Sequence, residues 1–448
     1  MSTQKIYDII GVGIGPFNLG LACLTDPIEE IDALFLDKSD GFDWHPGMLL
    51  ESTTLQIPFM ADLVTLADPT SPFSFLNYVK KQGRMYSFYI KENFLVLRNE
   101  YNKYCQWVVE QLSTLQFSSE VTYIVFDEKT ELYQVTKKNT STQKIDTLLT
   151  KKLVFGTGTT PYIPSSALPI KDKVIHTANY IQSKERLQQS SSVTVLGSGQ
   201  SAAEVFYDLL SEIDNFDYSL NWITRSSRFF PMEYGKLTLE MTSPEYVDYF
   251  FGLDKKKRTA LLQDHKHLYK GINEDLINEI FDLIYAKKLM NKELNISLRT
   301  NSTLVNSAAS GDKVKLAFRQ EEEGKYYQHE TDLVLAATGY KAQMPTFIHG
   351  IEHLLRIDHQ GNFNANRNYT VDHVGNSIFV QNAELNTHGF VTPDLGMGAY
   401  RNSYIIREIT GKEYYPIEEK IAFQKFSVSA DEEIDQPNAI LENALTEV

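Results

Sequence analysis

Cysteine is almost missing from this chain: Cys23 and Cys105 are the only two in 448 residues, and they lie far apart. That excludes a disulfide framework, a CxxC redox pair and a cysteine-based zinc cluster, and makes a reducing cytoplasm the expected compartment. Basic charge is scarce as well. Lys and Arg total 43 against 58 Asp and Glu, a formal net charge of −15, which is the wrong sign for nucleic acid phosphates or anionic lipid. The acidic balance suits solubility more than it selects a cationic substrate. No apolar run approaches the length of a membrane span, and the first strand begins near Lys5, leaving no room for a signal peptide, so no membrane is expected. The histidines are scattered without metal-ligand spacing, so no metal is expected either.

Glycine, in contrast, is placed with purpose. Gly11-Val12-Gly13-Ile14-Gly15-Pro16 follows the apolar run Ile6 to Ile10, and Gly197-Ser198-Gly199-Gln200-Ser201-Ala202 follows Val193 to Leu196. A strand, a glycine turn and a helix bring backbone N–H groups to a pyrophosphate, because glycine removes the blocking Cβ and the helix N-terminus favours negative charge. Two such units in one chain point to two nucleotide cofactors exchanging electrons. The strand after the first turn, Ala33 to Leu36, ends in Asp37, placed either to accept hydrogen bonds from adenosine ribose hydroxyls or to open the turn Asp37 to Gly41. The strand after the second, Ser219 to Thr224, ends at Arg225, with Arg228 nearby. Those cations suit a 2′-phosphate and hence NADPH over NADH, with two solvated surface arginines as the alternative.

At this length two or three domains are expected. The pattern predicts an α/β fold with two Rossmann-like dinucleotide-binding domains and a smaller helical substrate-binding segment. The expected divisions are a discontinuous first domain over 1–165 and 340–425, a second over 166–234 and 296–339, a helical insertion over 235–295, and an acidic tail over 426–448, partly disordered or loosely docked. The aromatic and proline-rich stretch from Phe42 to Tyr89 is expected to lie over a cofactor as loops. Two further glycine-containing turns follow apolar strands: Thr157-Gly158 after Lys152 to Phe155, and Thr338-Gly339-Tyr340 after Asp332 to Ala337. Glycine-bearing Thr387-His388-Gly389 opens a loop feeding a helix back against the first cofactor, and His45 and His388 read as loop residues lining that cofactor.

These residues together carry a resemblance. Gly-Ile-Gly-Pro-Phe-Asn-Leu (13–19), Trp44-His45-Pro46-Gly47-Met48, Phe59 to Val64, Pro69 to Tyr78, Gly197 to Ala202, Ala337 to Tyr340 and Thr387 to Gly389 stand in the order found in flavin-dependent N-hydroxylating monooxygenases. The chain resembles the lysine, ornithine and diamine hydroxylases of siderophore biosynthesis over roughly 5–425. The resemblance implies FAD on the first unit, NADPH on the second, a homo-oligomer (dimer or tetramer), and oxygen transfer from a C4a-hydroperoxyflavin to the nitrogen of a small primary amine. It also implies that Trp44 and Gln56 lie beside the flavin. The amine must react neutral, although its solution pKa is about 10.4, and water must be excluded. Pyridine nucleotide-disulfide reductases share the doubled turn but need a cysteine pair. Baeyer–Villiger and sulfur-oxidising enzymes carry a Phe-x-Gly-x-x-x-His stretch, which Phe155 to Tyr162 does not match.

Departures from the family pattern bear on substrate. Hydroxylases of free lysine or ornithine normally carry a lysine before the Asp-Leu of Phe-x-x-Asp-Leu, where it binds the amino acid's carboxylate; here it is Ala61. The asparagine that precedes Pro-Glu in the ornithine enzymes is here Ser243. A desolvated carboxylate without its cation is costly, so the expected substrate is a carboxylate-free amine: histamine, putrescine or cadaverine. The alternative is a free amino acid served by another cation, Lys270. A diamine's distal ammonium wants an acid, for which Glu384, Asp62 and Asp394 are candidates.

Overall fold

The computed structural model describes residues 4–434. Its first sheet runs in the order Leu115–Gln116, Ala33–Leu36, Ile6–Val12, Ile145–Phe155, Leu132–Asn139, Ser119–Asp127, and Ile378–Val380 also pairs with Ile145–Phe155. The strands around Ile6–Val12 are parallel and buried toward their C-terminal ends, whereas Ser119–Asp127 and Leu132–Asn139 form an antiparallel hairpin. This follows the sequence. Ile9, Ile10, Leu153 and Val154 belong to apolar runs covered on both faces, while Leu132–Asn139 alternates. The second sheet is wholly parallel: Val174–His176, Leu333–Ala336, Ser192–Leu196, Ser219–Ile223 and Ile296–Arg299. A separate three-stranded antiparallel sheet, Ser302–Ser310, Lys313–Gln320 and Tyr326–Thr331, precedes the return to Leu333.

The chain crosses between the two sheets twice, at Thr159–Pro161 and Tyr340–Ala342, and these short strands pair antiparallel. Both expected glycine turns thus flank a two-stranded hinge, and Thr338 Oγ1 donates to the Tyr162 carbonyl there. Cys23 and Cys105, distant in sequence, share the first core with Phe75, Tyr101 and Tyr104. Both are free buried thiols, and burial pushes their pKa up, so neither is poised as a nucleophile.

The structure adds detail to three expectations. The aromatic stretch contributes to the core: Phe73, Phe75 and Tyr78 are buried, Phe75 and Tyr78 pack edge-on or tilted against each other and Tyr104, and the Tyr104 hydroxyl donates to the Phe73 carbonyl. Large rings remove more area from water than loops over a ligand would need, so they seed the first core. The helical insertion splits in two. Pro244–Gly252 packs through Tyr246, Val247 and Phe250 with Phe390, Val391 and Met397, whereas Glu274–Met290 packs through Leu276, Ile277 and Ile280 on the second sheet's core. The tail is docked in its first part, with the Phe426 ring edge-on to Tyr246 at 5.1 Å; its remainder, 435–448, lies outside the described residues.

One ion pair joins the two sheet systems. Arg98, opening the helix Arg98–Val109, donates through both guanidinium nitrogens to Glu204 at 2.9 and 2.8 Å, and also to the Met48 carbonyl. Glu204 sits on the helix Gln200–Glu212 that follows the second glycine turn, and its side chain is 2% exposed. Removing one partner of such a pair strands a buried charge. Arg98→Ala is expected to lower unfolding stability by about 3–5 kcal/mol. Denaturant titration checks this, and adding Glu204→Leu should recover part of the loss; an equal loss in the double variant would count against the pair as its source.

Candidate functional site

Each glycine turn has a glycine closed against a neighbouring carbonyl and another left open, and in the first turn Gly11 is also closed, against the Phe35 ring. Gly13 holds φ +92°, and a Cβ there would collide with the Gly156 carbonyl; Gly15, the cap of helix Pro16–Thr25, would meet nothing within 4 Å. Gly197 holds φ +152° against the Ala337 carbonyl, while a Cβ on Gly199 would meet only the Lys270 carbonyl at 3.4 Å. Neither Gly15 nor Gly199 supplies a side-chain cap; Pro16 has no N–H and the Ala202 N–H bonds the Gly199 carbonyl, which leaves the Phe17, Asn18, Gln200 and Ser201 N–H groups for a ligand. Ser201 lies in that first turn of the second helix. Open space, free amides and a helix N-terminus fit a dinucleotide pyrophosphate at each turn.

Asp37 opens the turn after its strand and also braces the first glycine turn. One carboxylate oxygen accepts the Ile14 N–H at 2.7 Å, bracing the first turn, and the other accepts from Ser39. Asn18 donates to the Gly13 carbonyl and accepts from Gln381, so a buried amide pair supports the same turn from below. Gln381 carries no motif that sequence reasoning could use. Arg225 and Arg228 are exposed beyond Ile223, and neither forms an ion pair among the described residues. Thr157 and Gly158 are exposed at the hinge.

His45 and Trp44 stand at the hinge mouth. The Trp44 N–H donates to Asn102, its ring tilts on Tyr101 at 5.3 Å, and His45 meets Tyr340 edge-on at 5.5 Å. Burial, aided by Arg98, lowers the His45 pKa to about 4, so its ring is neutral. Gln56, on the strand Thr54–Pro58, is half-buried; its Oε1 accepts from the Tyr234 hydroxyl at 3.2 Å and from Asn273 Nδ2 at 3.1 Å. Asn273 also caps the helix Glu274–Met290 and donates its backbone N–H to Gln200 Oε1 at 2.8 Å, and Gln200 in turn donates to Glu204. A chain of amides therefore links Gln56 to the second glycine turn. Asn273-Glu274-Asp275 is a legible helix start, but its partners are not legible.

The expected substrate residues separate. Ala61 is buried, with Gly396 beside it: a Cβ on Gly396 would stand 3.7 Å from the Ala61 Cβ and 3.1 Å from Asp394 Oδ1. Ser243 is fully buried and caps Pro244–Gly252 by accepting the Tyr246 N–H. Lys270 lies with the second turn, its ammonium over the Tyr269 ring and its pKa lowered by desolvation, then by Lys266 and Arg225. Glu384 is sealed at 0% exposure in an ion pair with Arg401 at 3.1 Å, which makes it a structural acid. Asp62 is likewise consumed, accepting from Val64, Thr65 and Phe75. Glu384 and Ser243 satisfy internal partners because each lies at a helix start packed under other chain.

Thr387, His388 and Gly389 also differ from a cofactor-lining loop. His388 is 1% exposed within the helix Leu385–His388, with Nδ1 bonded to Thr387 Oγ1 and Nε2 to the Arg367 carbonyl, and it stacks on Tyr369 at 4.5 Å. Gly389 backs onto the Phe250 ring. These residues knit the insertion to the first unit. Among the described residues no His, Cys, Asp and Glu cluster suits a metal, and no helix is long and apolar enough to cross a membrane.

The comparisons with known proteins agree with this geometry. A sequence model for L-lysine 6-monooxygenase/L-ornithine 5-monooxygenase matches residues 5–342. A putrescine N-hydroxylase from Shewanella oneidensis is 53% identical over 425 residues, spanning 95% of this chain and 85% of that protein. Another, from Acinetobacter baumannii, is 44% identical and spans 96% of each. The FAD-bound cadaverine monooxygenase of the desferrioxamine pathway of Erwinia amylovora superimposes with a TM-score of 0.94 at 51% identity, covering 95% of this chain and all of that one.

Two outcomes follow from the geometry. Gly15→Val, whose backbone already lies in the extended region, should fold yet fail to retain FAD, read as loss of visible flavin absorbance after gel filtration; retention would remove the pyrophosphate from this turn. The second concerns pH. Burial first, then Arg367, Arg401 and Arg258, push the His388 pKa from 6.5 down to about 3. The unfolded chain therefore takes up a proton that the folded chain refuses. The stability held by neutral His388 is complete above pH 6.5 and is lost as pH falls toward 3, by about 1.4 kcal/mol per pH unit. His388→Asn should flatten that slope in urea titrations at successive pH values.

Proposed function

We propose that this chain, which belongs to the L-lysine 6-monooxygenase/L-ornithine 5-monooxygenase family, N-hydroxylates one terminal amine of a short aliphatic diamine such as putrescine or cadaverine, using FAD, NADPH and O₂. The observation that carries this reading is Ala61, buried where the amino-acid hydroxylases place a carboxylate-binding lysine. Arg401, the buried arginine whose charge reaches Asp394, is paired with Glu384 and donates to the Thr392 carbonyl. A substrate carboxylate would be desolvated there without a partner, at a cost of several kcal/mol. The relatives named for putrescine and cadaverine support the same substrate class.

In this reading the first turn, with Gly13, Gly15 and Asp37, holds FAD, and the second, with Gly199, Gln200, Arg225 and Arg228, holds NADPH. Bound FAD, reduced by NADPH, activates O₂ so that one oxygen atom reaches the amine nitrogen and the other leaves as water. The chain's own part is positioning. Gln56, held between Tyr234 and Asn273 and donating one amide hydrogen to the Thr54 carbonyl, has its other amide hydrogen for the reacting end, while the Trp44 ring, backed by buried Tyr101, sheds water from the hinge mouth. Tyr234 is kept a neutral phenol, burial pushing its pKa up to about 12. Gln56 and Tyr234 therefore offer no base, and the amine gives its proton to solvent on entry. The product hydroxylamine serves siderophore biosynthesis, and the enzyme acts in the cytoplasm as a homo-oligomer, a dimer or tetramer.

The test is an assay of purified protein with FAD and NADPH against putrescine, cadaverine, histamine, lysine and ornithine, with the hydroxylamine identified by mass. Putrescine or cadaverine should give coupled product. Coupled product from lysine or ornithine alone would sink the diamine assignment, and oxygenation of a ketone or thioether in place of any amine would sink N-hydroxylation.

A further inference from the structure

We propose that Asp394 is the specificity-determining residue that binds the ammonium of the substrate's far, unreacted end. This rests on the diamine reading above and assigns its recognition to one side chain. Of the three acids near the pocket, two are spent. Glu384 is paired with Arg401, and Asp62 accepts four hydrogen bonds from its own turn and from Phe75. Asp394 is different. Its Oδ1 accepts the Gly396 N–H at 2.7 Å, which fixes the carboxylate's direction, and among the described residues its Oδ2 has neither a hydrogen bond nor a salt-bridge partner.

Its surroundings locate what it faces. Gly396 lies between Asp394 and Ala61 and has no side chain to fill the space, where a Cβ would stand 3.1 Å from the one and 3.7 Å from the other. On the other side the charge of Asp394 is felt by the Tyr234 hydroxyl, which is bonded to Gln56. Ala61, Gly396 and Asp394 therefore sit side by side, with Asp394 in electrostatic reach of the Tyr234–Gln56 pair. In the diamine reading the substrate's reactive end meets amide and phenol, and its far end meets a carboxylate beside a methyl group. Relative to a pocket with lysine at the Ala61 position, the sign of the far end is inverted. A cation is wanted there, and an amino acid's carboxylate would meet repulsion as well as desolvation. Burial disfavours the Asp394 anion, and Arg401 offsets this only from a distance, so an arriving ammonium completes a pair that the protein leaves half-made.

The experiment is calorimetric titration of the FAD-loaded, NADP⁺-bound protein with putrescine and with butylamine, which has the same chain length and reactive amine but no distal ammonium. The parent should bind putrescine about tenfold or more tighter than butylamine, the size of one charge-assisted hydrogen bond. Asp394→Asn keeps the oxygen that accepts from Gly396. It should lose that preference, weakening putrescine about tenfold and leaving butylamine unchanged. Equal weakening of both amines would make Asp394 a structural residue and overturn the proposal, and so would unchanged putrescine binding. Should Asp394→Asn fail to hold FAD, the comparison within the parent still decides: equal affinity for the two amines overturns the assignment. Tight, selective putrescine binding without hydroxylamine product would instead refute the proposed reaction while leaving this contact standing.

Discussion

The bidentate pair between Arg98 and Glu204 is the contact on which the rest of the arrangement depends. Arg98 begins a helix of the first unit and Glu204 lies one turn into the helix behind the second glycine turn, so the pair sets how the two turns face each other. Glu204 also receives Gln200, Gln200 receives the Asn273 backbone, and the Asn273 side chain reaches Gln56. Two nucleotide sites exchange electrons only if their reacting rings meet. In this molecule the meeting is arranged by a charge that cannot be left unpaired, extended through neutral amides that hold their directions.

The same economy appears in how the turns are built. Gly13 and Gly197 are needed because their backbones occupy positive φ against a neighbouring carbonyl, whereas Gly15 and Gly199 are needed for the space they leave. A glycine motif in sequence does not distinguish these duties. Packing does, since only the folded chain shows which Cβ would strike protein and which would strike a ligand.

Local patterns were therefore legible where the chemistry is local. The apolar runs, both glycine turns, Asp37, and the arginines at the end of Ser219–Ile223 all lie within one strand-turn-helix unit, and the structure keeps each at the end of its strand. Where an interaction spans distant segments, the residue type misled. His388 and Thr387 looked like loop residues over a cofactor, yet they fill each other's hydrogen bonds inside a seam between two elements. The aromatic run after Phe42 looked like a wall and largely became core, because a large ring gains more from packing on Tyr104 than from facing a cleft. Tyr234 carried no motif and Asn273 only that of a helix start, and Gln56 depends on both.

The substrate end divides in the same way. The sequence alone determined that two dinucleotides are served, that Cys23 and Cys105 lack the spacing of a redox pair, and that the place of a carboxylate-binding lysine holds Ala61. These follow from residue type and local spacing. Only the tertiary structure decided which of three acids remains free, because a carboxylate's availability depends on what else reaches it. Glu384 meets Arg401 and Asp62 meets the amides of its own turn, both through folding; Asp394, separated from Ala61 by Gly396, keeps one oxygen without a partner among the described residues.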